Sequence, residues 1–171
     1  MKKMIGSAAI LLACFLGAQL RQRERKERLA LLRSLGTSLL ALRLELTERR
    51  KTLGESFLFL AQKSENETVR CFYNGLCSDM KSLGERDFTE IWRSAAESCF
   101  SAAGDAICDA LYPLGGCLGG SELNRQCAAL ETAAARIAEE ERAEKEAMRG
   151  ERRLVFGLSL CAGAFLVIIL M

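Results

Sequence analysis

Residues 154–171 read LVFGLSLCAGAFLVIILM, eighteen positions without a charged side chain. A run this long and this apolar has few structural options. It is long enough for a helix across the ~30 Å hydrocarbon core of a bilayer. In lipid, each backbone polar group must be satisfied within the segment, which favours a helix over an isolated strand or loop. A second apolar run, MIGSAAILLACFLGAQL over residues 4–20, follows Lys2 and Lys3. Both runs are near the lower length limit for a span. The sequence therefore predicts an N-terminal transmembrane anchor over 1–20, a domain over 21–153 and a C-terminal transmembrane helix over 154–171. The middle region is long enough for one small core.

The first run has competing readings. MKKMIGSAAILLAC begins as a secretory signal peptide does, with a basic start and a short apolar stretch. LLAC, ending at Cys14, is similar to a lipoprotein cleavage site, although Leu12 is bulky for that motif. Cleavage would also send RQRERKER outward, against the positive-inside rule. An uncleaved anchor fits better, and processing or lipidation at Cys14 is left open.

Charge distribution gives an orientation. Two lysines, Lys2 and Lys3, precede the first run, whereas Arg21, Arg23, Arg25, Lys26 and Arg28 follow it. Arg149, Arg152 and Arg153 precede the second run, and no charged side chain follows. The inner flanks are the more basic ones, so the domain is expected in the cytoplasm and both termini outside. Residues 21–51 hold ten Lys or Arg against four acids. Nucleic-acid binding is an alternative reading of such a run, but a basic membrane flank explains it better, and no nucleic-acid partner is expected.

Of eight cysteines, Cys14 and Cys161 fall in the apolar runs. The others are Cys71, Cys77, Cys99, Cys108, Cys117 and Cys127. A reducing cytoplasm disfavours disulfides. No CxxC occurs and the chain has no histidine, so zinc ligation has little support and no metal or other cofactor is expected. The plain reading is that these thiols are small buried apolar groups. The competing one is a metal- or redox-responsive membrane sensor.

The domain reads as all helix, an antiparallel bundle of about six helices. Leu32, Leu35, Leu39, Leu42, Leu46 and Leu53 step by three, four, three, four and seven, and Leu31, Leu40 and Leu44 widen the stripe. A helix is expected to about Lys51. Further helices are expected over residues 53–63, from about Glu67 to a stop at Gly84, and from a cap at Asp87 with Phe88, Ile91, Ala95 and Cys99 inward. Trp92 lies beside that face. The stretch GDAICDALYPL is a fifth helix, ended by the glycines of LGGCLGGSE. Ser121 is a candidate N-cap for the last helix, whose stripe is Leu123, Cys127, Leu130, Ala134 and Ile137. Pairs such as Glu141 with Lys145 suit a solvated helix face. That helix is expected to run roughly 48 residues, about 70 Å at ~1.5 Å per residue.

Chemistry-bearing patterns are scarce. Without histidine, the usual activated nucleophile and the usual neutral-pH proton shuttle are missing. LGGCLGG has the glycines of a phosphate loop but lacks the lysine and the strand, and suits close helix approach better. Glu139, Glu140 and Glu141 alternate with basic residues nearby and read as a solvated face. No enzymatic activity is expected.

The whole chain resembles stage III sporulation protein AB of endospore-forming bacteria. The resemblance is carried by the turn LGGSELNRQ, with Leu118, Gly119, Ser121, Glu122 and Gln126 at the family's positions. It is carried also by the charged helix leading into RRLVFGLSLCAGAFLVIILM, by EIWRSAAE, and by LRSLGTSLLALRLEL with its Glu45. The chain departs from the family's pattern in lacking a proline after the first helix, in Glu122 for a more usual Asp, and in the domain cysteines. The resemblance implies a domain similar to that of type II secretion platform proteins. It implies a scaffold in the channel joining the mother cell and forespore, set in the mother-cell membrane. The implied partners are a cytoplasmic secretion-type ATPase of the same operon and other channel subunits, with late forespore gene expression depending on the channel; no small-molecule substrate is implied. Gly157, Ser159 and Gly163 would let another membrane helix approach closely.

Overall fold

In the computed structural model the described residues are 2–82, 84, 86–120 and 122–170, with side chains described over 22–81, 84, 86–120 and 122–150. Six α-helices follow one another: α1 (Lys2–Thr47), α2 (Leu53–Lys63), α3 (Glu67–Asp79), α4 (Phe88–Phe100), α5 (Asp105–Leu118) and α6 (Leu123–Leu170). Short 3-10 turns at Met80–Ser82 and Ser101–Ala103 follow α3 and α4. The fold is all-α, and no strand occurs among the described residues. Also among them, no helix is long and apolar enough to cross a membrane. The candidate anchors over 1–20 and 154–171 lie outside the residues whose side chains are described.

The chain divides into two compact units. One comprises Met1–Leu29 with Arg142–Met171, and the other is Ala30–Glu141. In the first, Arg25 and Arg28 reach the same carboxylate, Glu144, at 3.8 and 3.6 Å. Arg23 pairs along its own helix with Glu27 at 3.0 Å.

The second unit has a continuous core. On α1, Leu32, Leu35, Leu39 and Leu42 are at most 1% exposed. Burying a leucine contributes roughly 2 kcal/mol, so this row is a large part of the driving force for docking the helix. Against it lies the buried stripe Leu130, Ala133, Ala134 and Ile137 of α6. Arg33 pairs with Glu141 at 3.2 Å and Arg43 with Glu131 at 2.9 Å, so the two segments run antiparallel within this unit. Two details of the leucine pattern are corrected. Leu40 and Leu44 are 45% and 46% exposed and do not widen the core face. Leu123 is 46% exposed, so the buried stripe of α6 begins later, at Leu130.

Helix α1 stops at Thr47, where Arg50 takes a left-handed φ of 47° and the Lys51 amide reaches back to the Glu45 carbonyl. Thr52 then starts α2 with a reciprocal cap: its hydroxyl accepts from the Glu55 amide, and the Glu55 carboxylate accepts from the Thr52 amide. Asn66 caps α3 by accepting from the amides of Thr68 and Val69. Asp87 stands at the N-cap of α4, but its side chain makes no capping bond. The predicted Ser121 cap lies outside the described residues.

Phe57, Phe72, Tyr73, Phe88, Trp92 and Phe100 form one connected ring cluster, with centroid separations of 5.1 to 6.5 Å. Trp92, placed beside the core face from its sequence position, is fully buried, and its indole N–H donates to the Leu111 carbonyl at 2.8 Å. Cys99 is only half-buried, and Phe100 takes the inward place. The first glycine pair after Pro113 does not end α5, which continues through Gly115 and Gly116 to Leu118 and stops at the second pair, with Gly119 as its C-cap. A Cβ on Gly115 would lie 3.2 Å from the Trp92 ring, and one on Gly119 3.1 Å from Phe88. These glycines let α5 sit close on α4.

Candidate functional site

The outward turn of Leu44 opens one wall of a groove in the Ala30–Glu141 unit. Thr37, Ala41 and Leu44 of α1 face Phe59 and Leu60 of α2, with Asn66 at the start of α3. The volume between them is about 790 Å³. Apolar side chains form its floor, while Arg33, Glu48, Arg49, Lys63 and Glu65 stand around it.

One end of the groove concentrates charge. The Phe59 ring carries three cations: Lys51 Nζ at 4.6 Å, Lys63 Nζ at 5.5 Å and the Arg49 guanidinium at 5.6 Å from its centroid. A cation over an aromatic face is attracted by the ring quadrupole. Glu45 supplies the balancing charge: its carboxylate lies 2.9 Å from Arg49 and 2.7 Å from Lys51. The Glu45 side chain is 5% exposed, against 58% for Arg49 and 32% for Lys51. A carboxylate is costly to bury unless it is paired, and here the turn after α1 folds back to provide both partners.

The predicted site residues fall in several places. Lys26 and Arg149 are exposed, while Arg25 and Arg28 are half-buried against Glu144. The side chains of Lys2, Lys3, Arg21, Arg152, Arg153, Ser121, Gly157, Ser159 and Gly163 lie outside the described set. The turn between α5 and α6 draws three of its five expected members into one packing arrangement. The Gln126 amide donates to the Leu118 carbonyl at 3.3 Å, Leu118 is buried, and Gly119 fits against Phe88. Glu122 is exposed beside them. This turn ties two helices together.

The cysteines differ from the expected pattern. Cys108 alone of the six is buried; Cys71 is exposed, and Cys77, Cys99, Cys117 and Cys127 are intermediate. Burial pushes up the Cys77 thiol. Burial also raises the Cys99 thiol, with Cys71 across the α3–α4 packing adding to it. Among the described residues, no three His, Cys, Asp or Glu side chains come together to hold a metal.

Sequence reasoning missed the Phe59 cluster and the α2 cap. The cap had a signal, since Thr52 and Glu55 have the S/T-x-x-E spacing. In the Phe59 cluster only Lys63 had one, four residues on along α2, because Arg49 and Lys51 come from the turn before that helix.

The described residues of this α-helical bundle carry a groove, a cation cluster and a helix-tying turn. The chain matches the family model of stage III sporulation protein AB over residues 3–171, and it belongs to that family. No curated protein and no solved structure matches it.

Proposed function

We propose that the chain is a non-enzymatic membrane platform of the channel between mother cell and forespore. The family match over residues 3–171 is the observation that carries this reading. In it, the apolar runs over 4–20 and 154–171 anchor the protein in the mother-cell membrane, and the domain faces the cytoplasm. The helical domain docks a secretion-type ATPase encoded in the same operon, other channel subunits meet the anchors, and late forespore gene expression depends on the assembly. The basic inner flanks support this orientation, and the open groove beside α1 supports a docking role.

Two measurements in a sporulating host test the reading. A reporter active only outside the cytoplasm, fused after Met171, is expected to be active. Deleting the gene is expected to abolish late forespore transcription while leaving engulfment intact. Activity from a cytoplasm-only reporter at that position would overturn the orientation, and normal late transcription in the deletion strain would overturn the role.

A further inference from the structure

Helices α3 and α4 form an antiparallel hairpin joined through residues 80–87. The Phe72 and Phe100 rings meet at 5.1 Å between centroids, so the start of α3 lies against the end of α4. Cys71 precedes the one ring and Cys99 precedes the other. Their thiols are close enough to interact directly. Cys71 is exposed and Cys99 is half-buried, so one thiol is open to solvent and the other stands behind it. Neither has a part in the platform reading.

Two neighbouring cysteines are placed differently. Cys77 is on α3 with Cys71, and the spacing separates the two by roughly 9 Å along the helix axis and about 240° around it. A disulfide needs Cα atoms within about 7 Å and Cβ atoms that face each other. Cys108 is buried, with its thiol 3.9 Å from the Ala96 carbonyl. Burial pushes the Cys99 thiol up, partly offset by the Ser98 hydroxyl 3.8 Å away and reinforced by Cys71. Cys99 therefore keeps its proton, and the exposed Cys71 is the thiol an oxidant meets first.

We propose that Cys71 and Cys99 are an oxidant-responsive thiol pair, reduced at rest, that closes to a disulfide between α3 and α4 when hydrogen peroxide reaches Cys71. The Cys71 thiolate attacks one peroxide oxygen. The S–O bond forms as the O–O bond breaks, and the departing hydroxide takes up the thiol's proton and leaves as water. The sulfur, now a sulfenic acid, has given two electrons to the peroxide. The Cys99 sulfur then attacks it; the S–S bond forms, the S–O bond breaks, and a second water carries off the Cys99 proton. Two thiols and one peroxide give one disulfide and two waters. The bond staples α3 to α4 beside the contact of Phe72 with Phe100, and a thiol reductant reverses it. This inference is independent of the platform reading, since it concerns the hairpin alone.

The test uses the reduced full chain in nanodiscs, with hydrogen peroxide as the probe. After the remaining thiols are alkylated, cleavage at basic and aromatic residues separates Cys71 from Cys77 and Cys99 from Cys108, and mass spectrometry reads the linkage. A disulfide between Cys71 and Cys99 is the expected principal product, lost in Cys71→Ser and in Cys99→Ser and kept in Cys77→Ser. It should raise the unfolding midpoint of the helical domain by roughly 10 °C, and dithiothreitol should reverse the rise. Cys71→Ser, at an exposed position, should show no rise with peroxide. A different principal pairing, a link between two chains, or Cys71 carried on to the sulfinic acid without a link overturns the proposal. So does a linked chain that unfolds at a lower temperature than the reduced one. Thiol trapping in acid-quenched sporulating cells reads the resting state. Both thiols should be reduced before peroxide and linked after it, and a link already present without peroxide would overturn the switch.

Discussion

The hydroxyl oxygens of Ser38 and Tyr73 lie 3.0 Å apart in the core, joining α1 to α3. Ser38 has a single hydroxyl hydrogen, and its Oγ lies 2.7 Å from the Leu35 carbonyl oxygen in its own helix. That carbonyl takes the serine hydrogen, so the phenol of Tyr73 donates to Ser38. The pair satisfies two buried polar groups and fixes the register of α3 on the leucine row.

Removing the donor and removing the acceptor should therefore differ. Tyr73→Phe deletes one hydrogen bond and leaves the Ser38 hydroxyl on Leu35, at a cost of about 1 kcal/mol. Ser38→Ala leaves a buried phenol unsatisfied and should cost about 2 kcal/mol. Urea unfolding of the two variants gives the order; Tyr73→Phe as the costlier change would show that the donor is misassigned.

The same burial makes the unit sensitive to alkali. Burial pushes the Tyr73 phenol up, with only partial relief from Ser38. Burial, followed by the hydrogen bond to Glu97, pushes Tyr112 up to about 12. A raised phenol pKa means that folding favours the neutral form. Its contribution is complete below the unfolded value of about 10 and is lost as pH rises through the folded value. Stability should fall progressively above about pH 10. Tyr73→Phe, less stable at neutral pH, should lose less with rising pH, so its curve should approach that of the unaltered chain. Parallel curves for the two would contradict this.

Glycine substitutions in and just after α5 should divide by position. A Cβ on Gly115 or Gly119 meets Trp92 or Phe88 at 3.1 to 3.3 Å, and Gly115 also meets the Thr89 backbone at 3.3 Å. Alanine at either site should cost about 1–3 kcal/mol by forcing α5 off α4. Gly116 is in the same helix with nothing within 4 Å. Gly116→Ala should raise stability by about 0.5–1 kcal/mol through helix propensity. Thermal unfolding of the three variants is the check, and a loss at Gly116 matching that at Gly115 would refute the packing account.

The turn after α1 offers a gain. Arg50 has φ 47°, a conformation that an L side chain adopts at a cost. Arg50→Gly should stabilise by about 0.5–1 kcal/mol, whereas Arg50→Val should destabilise. A lower unfolding temperature for Arg50→Gly would mean that the arginine side chain contributes more than its backbone strain removes.

How far the sequence carried the fold depends on where breakers and caps stand. The bounds of α2 and the 48-residue length of α6 were readable because the one is a short amphipathic stretch and no strong breaker interrupts the other. The leucine row of α1 was readable from its heptad steps, but Leu40 and Leu44 were not separable from it without knowing which helices pack alongside. Gly115 and Gly116 looked like a helix stop because local propensity disfavours them, and packing on Trp92 and Phe88 overrode it. The cysteines looked like core by composition, yet Cys71 faces outward on α3. The turn at Leu118, Gly119 and Gln126 was singled out only through the family resemblance, and its hydrogen bond and close packing on Phe88 were not legible from local spacing. The groove was not, because Arg49 and Lys51 reach Phe59 through the turn after α1, whose path is set by the fold, and only Lys63 stands at helical spacing from that ring.

The helical domain is proposed to dock a secretion-type ATPase. The most direct measurement is affinity purification of the tagged full-length chain from sporulating cells, after solubilisation in mild detergent, with mass spectrometry of what accompanies it. The account predicts recovery of the secretion-type ATPase of the same operon. Intact chain that brings down its membrane neighbours but never that ATPase would contradict it.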